Sequence, residues 1–283
     1  MPDTDDSIGR TREGDAREQG GQREINQYFD ANSSYWDSVY RDDDLQGRIY
    51  KRRQGHVLAA VEAMQPPPAR VLEVGCGAGH LTLALARRGL HLDALDASPA
   101  MVESARRRIE EAGLGADVEV GQADVHALPF GSGEFDLVVA VGVIPWLHSP
   151  DVAVAEMARV LRPGGELVLT ADNRARLTSF TDPRRVLALP PLKHAYRRVR
   201  RIDPVTVSRL HTPRRVDAML AHAGLEPIER RTVGFGPLTF MGRSILQGSS
   251  GLRLDERLQR LADAGTPGLR WTGWHYLVRA RRR

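Results

Sequence analysis

Cysteine is almost absent from this 283-residue chain, Cys76 being the only one. One cysteine excludes an intrachain disulfide and any metal site built on several thiolates, so no metal is expected. A chain without disulfides suits a reducing compartment, and a cytoplasmic location is expected. Long hydrophobic runs are lacking too. The longest, Phe135 to Leu147, is interrupted by Asp136 and Pro145, falls short of the ~20 residues of a membrane-spanning helix, and reads as a core strand. The opening MPDTDDSIGRTREGDAREQGGQRE has no apolar stretch and no aromatic. No secretory signal is expected in this stretch, and residues 1–24 read as a disordered tail. Aromatics make up only 6% of the chain, so the crowding of Tyr28, Phe29, Tyr35, Trp36, Tyr40 and Tyr50 stands out.

The hydrophobic share, 41%, is enough for one large domain with additions. Net charge is only +4, but Arg174 to Arg215 hold twelve Arg or Lys against Asp182 and Asp203, a local excess of ten. Such a stretch is either a solvated arginine-rich face or a surface for an anionic small molecule or an acidic membrane.

From Ile25 to Met64 the pattern is helical, and Pro66-Pro67-Pro68 ends it. Strands and helices then alternate. Strands are expected at Arg70–Gly75, Leu92–Asp96, Asp117–Val120, Phe135–Val141 and Glu166–Ala171. Helices are expected at Gly79–Arg88, Pro99–Ala112 (capped by Ser98) and Asp151–Leu161. This rhythm gives an α/β fold, a parallel sheet with helices on both faces. It breaks at Asp172, and residues 173–211 read as an inserted basic cap. A helix from Thr212, a strand at Glu226–Thr232, a helix at Asp255–Ala262 and a strand at Trp274–Ala280 complete the chain. The resulting segments are a tail (1–24), an N-terminal helical part (25–65), a core (66–172), the cap (173–211) and the rest of the sheet (212–283).

The stretch VLEVGCGAGHL ends the first strand in Gly75, Gly77 and Gly79. A parallel sheet binds ligands beyond the carboxyl ends of its strands, where the strand order reverses. Glycines there let a ligand approach the backbone, and the next helix points its N–H groups at it. Asp96 ends the second strand, placed to accept both hydroxyls of a ribose. Asp124 follows the third strand, placed to accept from the exocyclic amine of adenine, with the Val125 and His126 backbone N–H groups beside the ring.

Five stretches in order, EVGCGAG, LDASPAM, DVHALPF, FDLVVA and RVLRPGGEL, resemble the successive motifs of class I S-adenosylmethionine-dependent methyltransferases. The ubiquinone/menaquinone-biosynthesis-type small-molecule group is the most similar. The likeness covers Tyr28 to Thr170 and Thr212 onward. It implies a Rossmann-like seven-stranded sheet, mostly parallel with an antiparallel last strand, under an N-terminal helical lid and an inserted cap over the acceptor pocket. It further implies that Glu73, Gly75, Cys76, Gly77 and Gly79 wrap the methionine part of S-adenosylmethionine. Asp96 would hold the ribose, Ala97 and Met101 would line the adenosine, Asp124 and Val125 would meet the adenine, and Val141 and Gly142 would floor the sulfonium. By the same likeness Arg53 pairs with the cofactor carboxylate and Tyr35 covers the site. The lid also resembles that of magnesium-protoporphyrin methyltransferases, although the long cap departs from that pattern. If the acceptor is a hydroxyl, a base helps, and His148, after the fourth strand, is the candidate.

The function expected is therefore methyl transfer to the oxygen or nitrogen of a small molecule, releasing S-adenosylhomocysteine. An alternative acceptor is a lipid, quinone or porphyrin met at the membrane surface. The alternatives of another class are a nucleotide-dependent oxidoreductase and a non-catalytic nucleotide-binding protein. Nucleic acid is not the expected partner, because the chain has no added RNA-binding module and no N-P-P-Y-like tetrapeptide.

Overall fold

A computed structural model describes residues 21–181, 208–241, 243–246 and 248–283. The expected tail up to residue 20 and most of the expected cap, residues 182–207, lie outside the described residues. Helix α1 covers 21–31, so residues 21–24 are helical where a tail was expected. Helices α2 (Ser33–Val39) and α3 (Leu45–Glu62) follow, then β1 (Val71–Val74), α4 (His80–Ala86), β2 (Leu92–Asp96), α5 (Pro99–Glu111) and β3 (Val118–Gln122). Next come β4 (Phe135–Ala140), α6 (Pro150–Val160), β5 (Leu161–Asp172) and the short α7 (Thr178–Thr181). The chain then forms α8 (Pro213–His222), β6 (Leu225–Val233), a small hairpin of β7 (Thr239–Phe240) and β8 (Arg243–Ser244), α9 (Gly248–Asp263) and β9 (His275–Arg282). Helix α9 begins seven residues before the expected Asp255.

Seven strands form one sheet in the order β3-β2-β1-β4-β5-β9-β6, with β9 antiparallel to both β5 and β6. The expected mostly parallel sheet with an antiparallel last strand is therefore present. Side chains alternate along each strand, and the sheet sorts them into two cores. Leu72, Val74, Val138, Ala140, Leu167, Leu169, Tyr276 and Val278 pack on one face with α6 and α8. Val71, Leu137, Val139, Val168 and Leu277 pack on the other with α3, α4 and α5. The strands bury both faces, which is why they read as continuous apolar runs. The one acid inside β4, Asp136, sits at its edge. Its Oδ2 accepts the Ala69 and Arg70 N–H groups at 2.8 Å each, and its Oδ1 meets Arg162 at 2.7 Å. It is a staple between strands rather than a site residue.

Chain order puts β2 and β3 on one side of β1, then returns to put β4 on the other. That reversal opens a crevice at the carboxyl ends of β1 and β4. Ser98 caps α5 as expected, its hydroxyl accepting the Met101 N–H at 3.2 Å. Among the described residues no helix is long and apolar enough to cross a membrane.

Candidate active site

The crevice holds a cavity of about 190 Å³, floored by the ends of β1, β2, β4 and β5 and covered by α1, α2 and α3. Gly75, Cys76 and Gly77 line it, together with Asp96, Ala97, Met101, Asp124, Val125, Val141 and Gly142. The loop after β1 is fixed by β2. Leu95 O accepts the Gly75 and Cys76 N–H groups at 2.7 and 3.0 Å, and Asp96 Oδ2 accepts the Gly77 N–H at 2.9 Å. Asp96 Oδ1 takes the Ser98 N–H at 2.9 Å. Burial pushes the Asp96 carboxyl up, while the N–H groups of Ser98 and Gly77 oppose the shift.

Two glycines do different work. Gly77 has φ +55°, and a Cβ there would meet no protein atom within 4 Å, so its open side belongs to whatever fills the cavity. Gly79 has φ +79°, and its Cβ would lie 2.9 Å from Ala105 Cα. It lets α4 approach α5 and does not line the cavity, which corrects the expectation that it wraps a ligand.

Two buried charged groups flank the loop. Glu73 is 3% exposed, on the α4 face of β1, and its Oε2 has no hydrogen-bond partner. Burial pushes its carboxyl up to about 8, the Thr82 hydroxyl opposing and the Asp96 charge adding to the shift. Arg53, on α3, is 6% exposed. It donates from Nη2 to the Tyr40 hydroxyl at 2.8 Å and lies 4.5 Å over the Tyr50 ring. Desolvation opposes its charge, but Tyr40, Tyr50 and Asp172 outweigh it and the guanidinium pKa is raised. Cys76 is buried, and desolvation with the neighbouring Glu73 and Asp96 pushes its thiol well up. It is a small loop residue and no nucleophile.

At the far end, Asp124 is more than half exposed and is drawn toward His126. Its Oδ1 accepts the His126 N–H at 2.9 Å and meets Nδ1 at 2.6 Å. The His126 N–H is therefore taken by Asp124 and does not face a ring. The His126 side chain, first among several causes, lowers the Asp124 pKa.

The lid also departs from expectation at two residues. Tyr35 is 50% exposed and lies outside the cavity. The tyrosines that reach in are Tyr40 and Tyr50, to which the sequence reading gave no role at the site. His148 does not line the cavity either. Its ring packs 4.0 Å from that of His126, and its N–H donates to the Gln22 side chain at 3.0 Å. The 3-10 turn Ile144–Trp146 before it swings Trp146 inward and leaves His148 on the rim beside Asp124. Phe29, Trp36 and Trp146 form an aromatic wall, with ring centroids 5.1 to 6.0 Å apart.

Two lid carboxylates tie down this wall. Asp30 accepts the Ser98 hydroxyl at 2.5 Å, at the start of α5. Asp37 meets His80 Nε2 at 2.8 Å and pairs with Arg108, whose Nε donates to Ala78 O at 2.7 Å. His80 stacks on Tyr40 with ring centroids 4.9 Å apart, so the latch connects through Tyr40 to Arg53. The repeated aromatic–acid pair, Phe29-Asp30 and Trp36-Asp37, was the available signal. Asp172 is a further missed residue lining the cavity.

A family profile described as methyltransferase domain matches residues 72–169, from β1 through β5. The ubiquinone biosynthesis O-methyltransferase of Aromatoleum aromaticum is 31% identical over 174 residues, covering 60% of this chain and 69% of that protein. This chain belongs to the class I S-adenosylmethionine-dependent methyltransferase family. The match is not confined to one acceptor chemistry. The phosphatidylethanolamine N-methyltransferase of Cereibacter sphaeroides is 42% identical over 100 residues, 35% of this chain and 49% of that protein. Among solved structures, magnesium protoporphyrin IX methyltransferase from Synechocystis PCC 6803 with bound SAH superposes with a TM-score of 0.60. It is 16% identical, covering 92% of this chain and 98% of that one, which speaks to the fold alone. The chain spans 45 to 62% of the length of the first curated relatives it matches. The profile spans five of the seven strands, β1 to β5, with the glycine loop among them.

Proposed function

We propose that this family member transfers a methyl group from S-adenosylmethionine to a small-molecule acceptor in the cytoplasm. The observation that carries the reading is the pair of buried groups beside the glycine loop. Glu73 Oε2 is an orphaned buried acceptor on the cavity side, and leaving such an atom unpaired costs about 1–3 kcal/mol. Arg53 is a buried cation that touches a hydroxyl and a ring, with the Asp172 charge nearby. Together they fit the ammonium and carboxylate of an amino acid joined to a nucleoside, which an ordinary dinucleotide does not carry.

When bound, S-adenosylmethionine supplies an electrophilic methyl group on a positively charged sulfur. Arg53 holds the carboxylate, Glu73 and the Gly75–Gly77 loop hold the amino end, and Asp96 holds the ribose hydroxyls. Ala97, Met101 and Val125 enclose the adenosine, with Asp124 near its amine, while Val141 and Gly142 form the floor. The lid, latched through Asp30 and Asp37, excludes water from the reaction, and alignment in a dry site supplies much of the acceleration such a displacement needs.

The aromatic wall of Phe29, Trp36 and Trp146 suits a flat or apolar acceptor body. The arginine excess between Arg174 and Arg215 suits an acceptor with a carboxylate or phosphate, or one offered at an acidic membrane surface. Changing Arg197, Arg198, Arg200 and Arg201 to Glu is the test of that second element, read as the salt dependence of binding to anionic vesicles. The cofactor reading is tested by calorimetry. S-adenosylhomocysteine is expected to bind and to raise the melting temperature, and NAD to do neither. Stabilisation by NAD alone returns the chain to the oxidoreductase reading.

A further inference from the structure

We propose that Asp172 receives the proton of the methyl acceptor and that His275 positions it for that task. This rests on the methyl-transfer reading above. The two residues come together because of sheet parity and register. In β5, Leu167, Leu169 and Ala171 face α6 and α8, while Val168 faces α3. Alternation therefore turns Asp172 toward α3. In β9, Tyr276 and Val278 face the α6 side and Leu277 faces α3, so His275 turns the same way. The antiparallel register sets Asp172 directly opposite His275, and Asp172 Oδ1 meets His275 Nδ1 at 3.1 Å.

His275 is 2% exposed, packed between Trp274 and Tyr50, and its Nε2 has no hydrogen-bond partner. Burial depresses its pKa, with Arg53 and Arg176 adding to the effect and Asp172 opposing it. The neutral ring thus gives its Nδ1–H to Asp172. Asp172 in turn lines the cavity beside Arg53, Tyr50 and Gly142. Desolvation raises its pKa, but His275, the Ser208 hydroxyl and Arg53 together lower it, so it is an anion that only accepts.

Strand order says which end of the cavity this is. Reading across the sheet, β2 carries Asp96, β1 the glycine loop with Glu73, β4 leads into Val141 and Gly142, and β5 ends in Asp172. Strands lie about 4.8 Å apart. With the ribose at β2, the amino-acid part at β1 and the reacting centre over β4, the carboxylate one strand further on meets the acceptor. An aromatic wall on the lid and an obligate hydrogen-bond acceptor on the sheet together suit a hydroxyl on an arene. As the acceptor oxygen bonds to the methyl carbon, the methyl–sulfur bond breaks and its electron pair leaves with the sulfur. The O–H bond breaks with its pair kept by oxygen, and the proton passes to the Asp172 carboxylate.

The groups that act on Asp172 are His275 from β9, Arg53 and Tyr50 from α3, and Ser208 and His211 before α8, while Arg176 acts on His275. With Asp172 ionised, a bound phenol is held neutral, because a phenolate there would oppose a second anion. The probe is 4-nitrophenol, titrated into the S-adenosylhomocysteine complex at the probe's own solution pKa. Bound to the wild type it should lose its yellow phenolate absorbance. Bound to Asp172→Asn it should stay yellow, because no second anion then opposes the phenolate, and the acidity constant of the bound probe should be at least tenfold larger than in the wild type. S-adenosylhomocysteine should bind at least as tightly, because Arg53, which holds its carboxylate, loses a neighbouring anion. His275→Phe should weaken probe binding and shift its colour toward that of Asp172→Asn, and His275→Gln, which keeps a side-chain N–H, should restore both. No probe binding, or equal colour in wild type and Asp172→Asn, overturns the assignment of Asp172. Identical behaviour of the Phe and Gln variants overturns that of His275. Failure of S-adenosylhomocysteine to bind the wild type removes the methyl-transfer reading itself, and this assignment with it.

Discussion

If Glu73 receives the ammonium of the cofactor, binding must expel a proton. Alone in the folded protein, its carboxyl is pushed up to about 8 by burial, so at pH 7 it is ~0.9 protonated. An ammonium against Oε2 supplies the missing partner and pulls the pKa down, so ~0.9 proton should leave per ligand bound at pH 7. The energetics follow from the same number. A hydrogen bond to a charged group is worth ~1.5–3 kcal/mol, but ionising Glu73 one pH unit below its pKa costs ~1.4 kcal/mol. Glu73→Gln should therefore lose at most ~2 kcal/mol of S-adenosylhomocysteine affinity at pH 7, and the full ~1.5–3 kcal/mol above pH 8. The assay is titration calorimetry in buffers of different ionisation enthalpy. The wild type should show a slope near one proton released, tightening about tenfold per pH unit below pH 7, and Glu73→Gln should show neither. The ligand-free proteins should differ in the opposite sense. A raised pKa contributes stability that is complete below the unfolded value near 4.5 and lost as pH rises toward 8, so the Gln variant should melt higher at pH 8. A buffer-independent binding enthalpy in the wild type would refute the reasoning.

Other substitutions probe the rest of the site. Asp96→Ala should weaken S-adenosylhomocysteine binding by about 1–3 kcal/mol, since it removes both the ribose acceptor and the anchor of the Gly77 N–H. Unchanged affinity by calorimetry would remove the ribose assignment. Gly77→Ala should fold, with only the strain of a Cβ at φ +55°, and lose ligand affinity, whereas Gly79→Ala should lower the melting temperature further, because its Cβ also strikes Ala105. Removing the chain up to residue 44 should abolish turnover while leaving the sheet's circular dichroism intact, and Asp37→Ala should speed proteolysis of the lid in the bound state. Acid should destabilise the protein from about pH 6.5 downward. His275 and His80 have pKa values depressed first by burial, so the unfolded chain takes up protons that the folded one refuses. Urea midpoints measured between pH 5 and 8 check this, and a flat profile would contradict it.

The sequence by itself determined the sheet and its ligand-binding end. Strands buried on both faces must be apolar throughout, and tight turns at their ends must be glycine. Both constraints are written locally, so Val71–Val74, Phe135–Ala140, Gly75, Gly77 and Asp96 were legible one residue at a time. Tertiary structure alone decided which side chains reach the cavity across elements. Tyr40 rather than Tyr35 enters because α2 ends at Val39 and the turn aims the next residue at Arg53. His148 stays on the rim because the turn at Ile144–Trp146 sends the indole in its place. Gly79 serves packing because α5 crosses at Ala105. Asp172 and His275 lie 103 residues apart, and only the antiparallel register of β5 with β9 makes them partners. Short-range pattern records what a residue's own backbone requires. Contacts made by strand order and helix crossing have no local trace, because they depend on chain that folds in from far along the sequence.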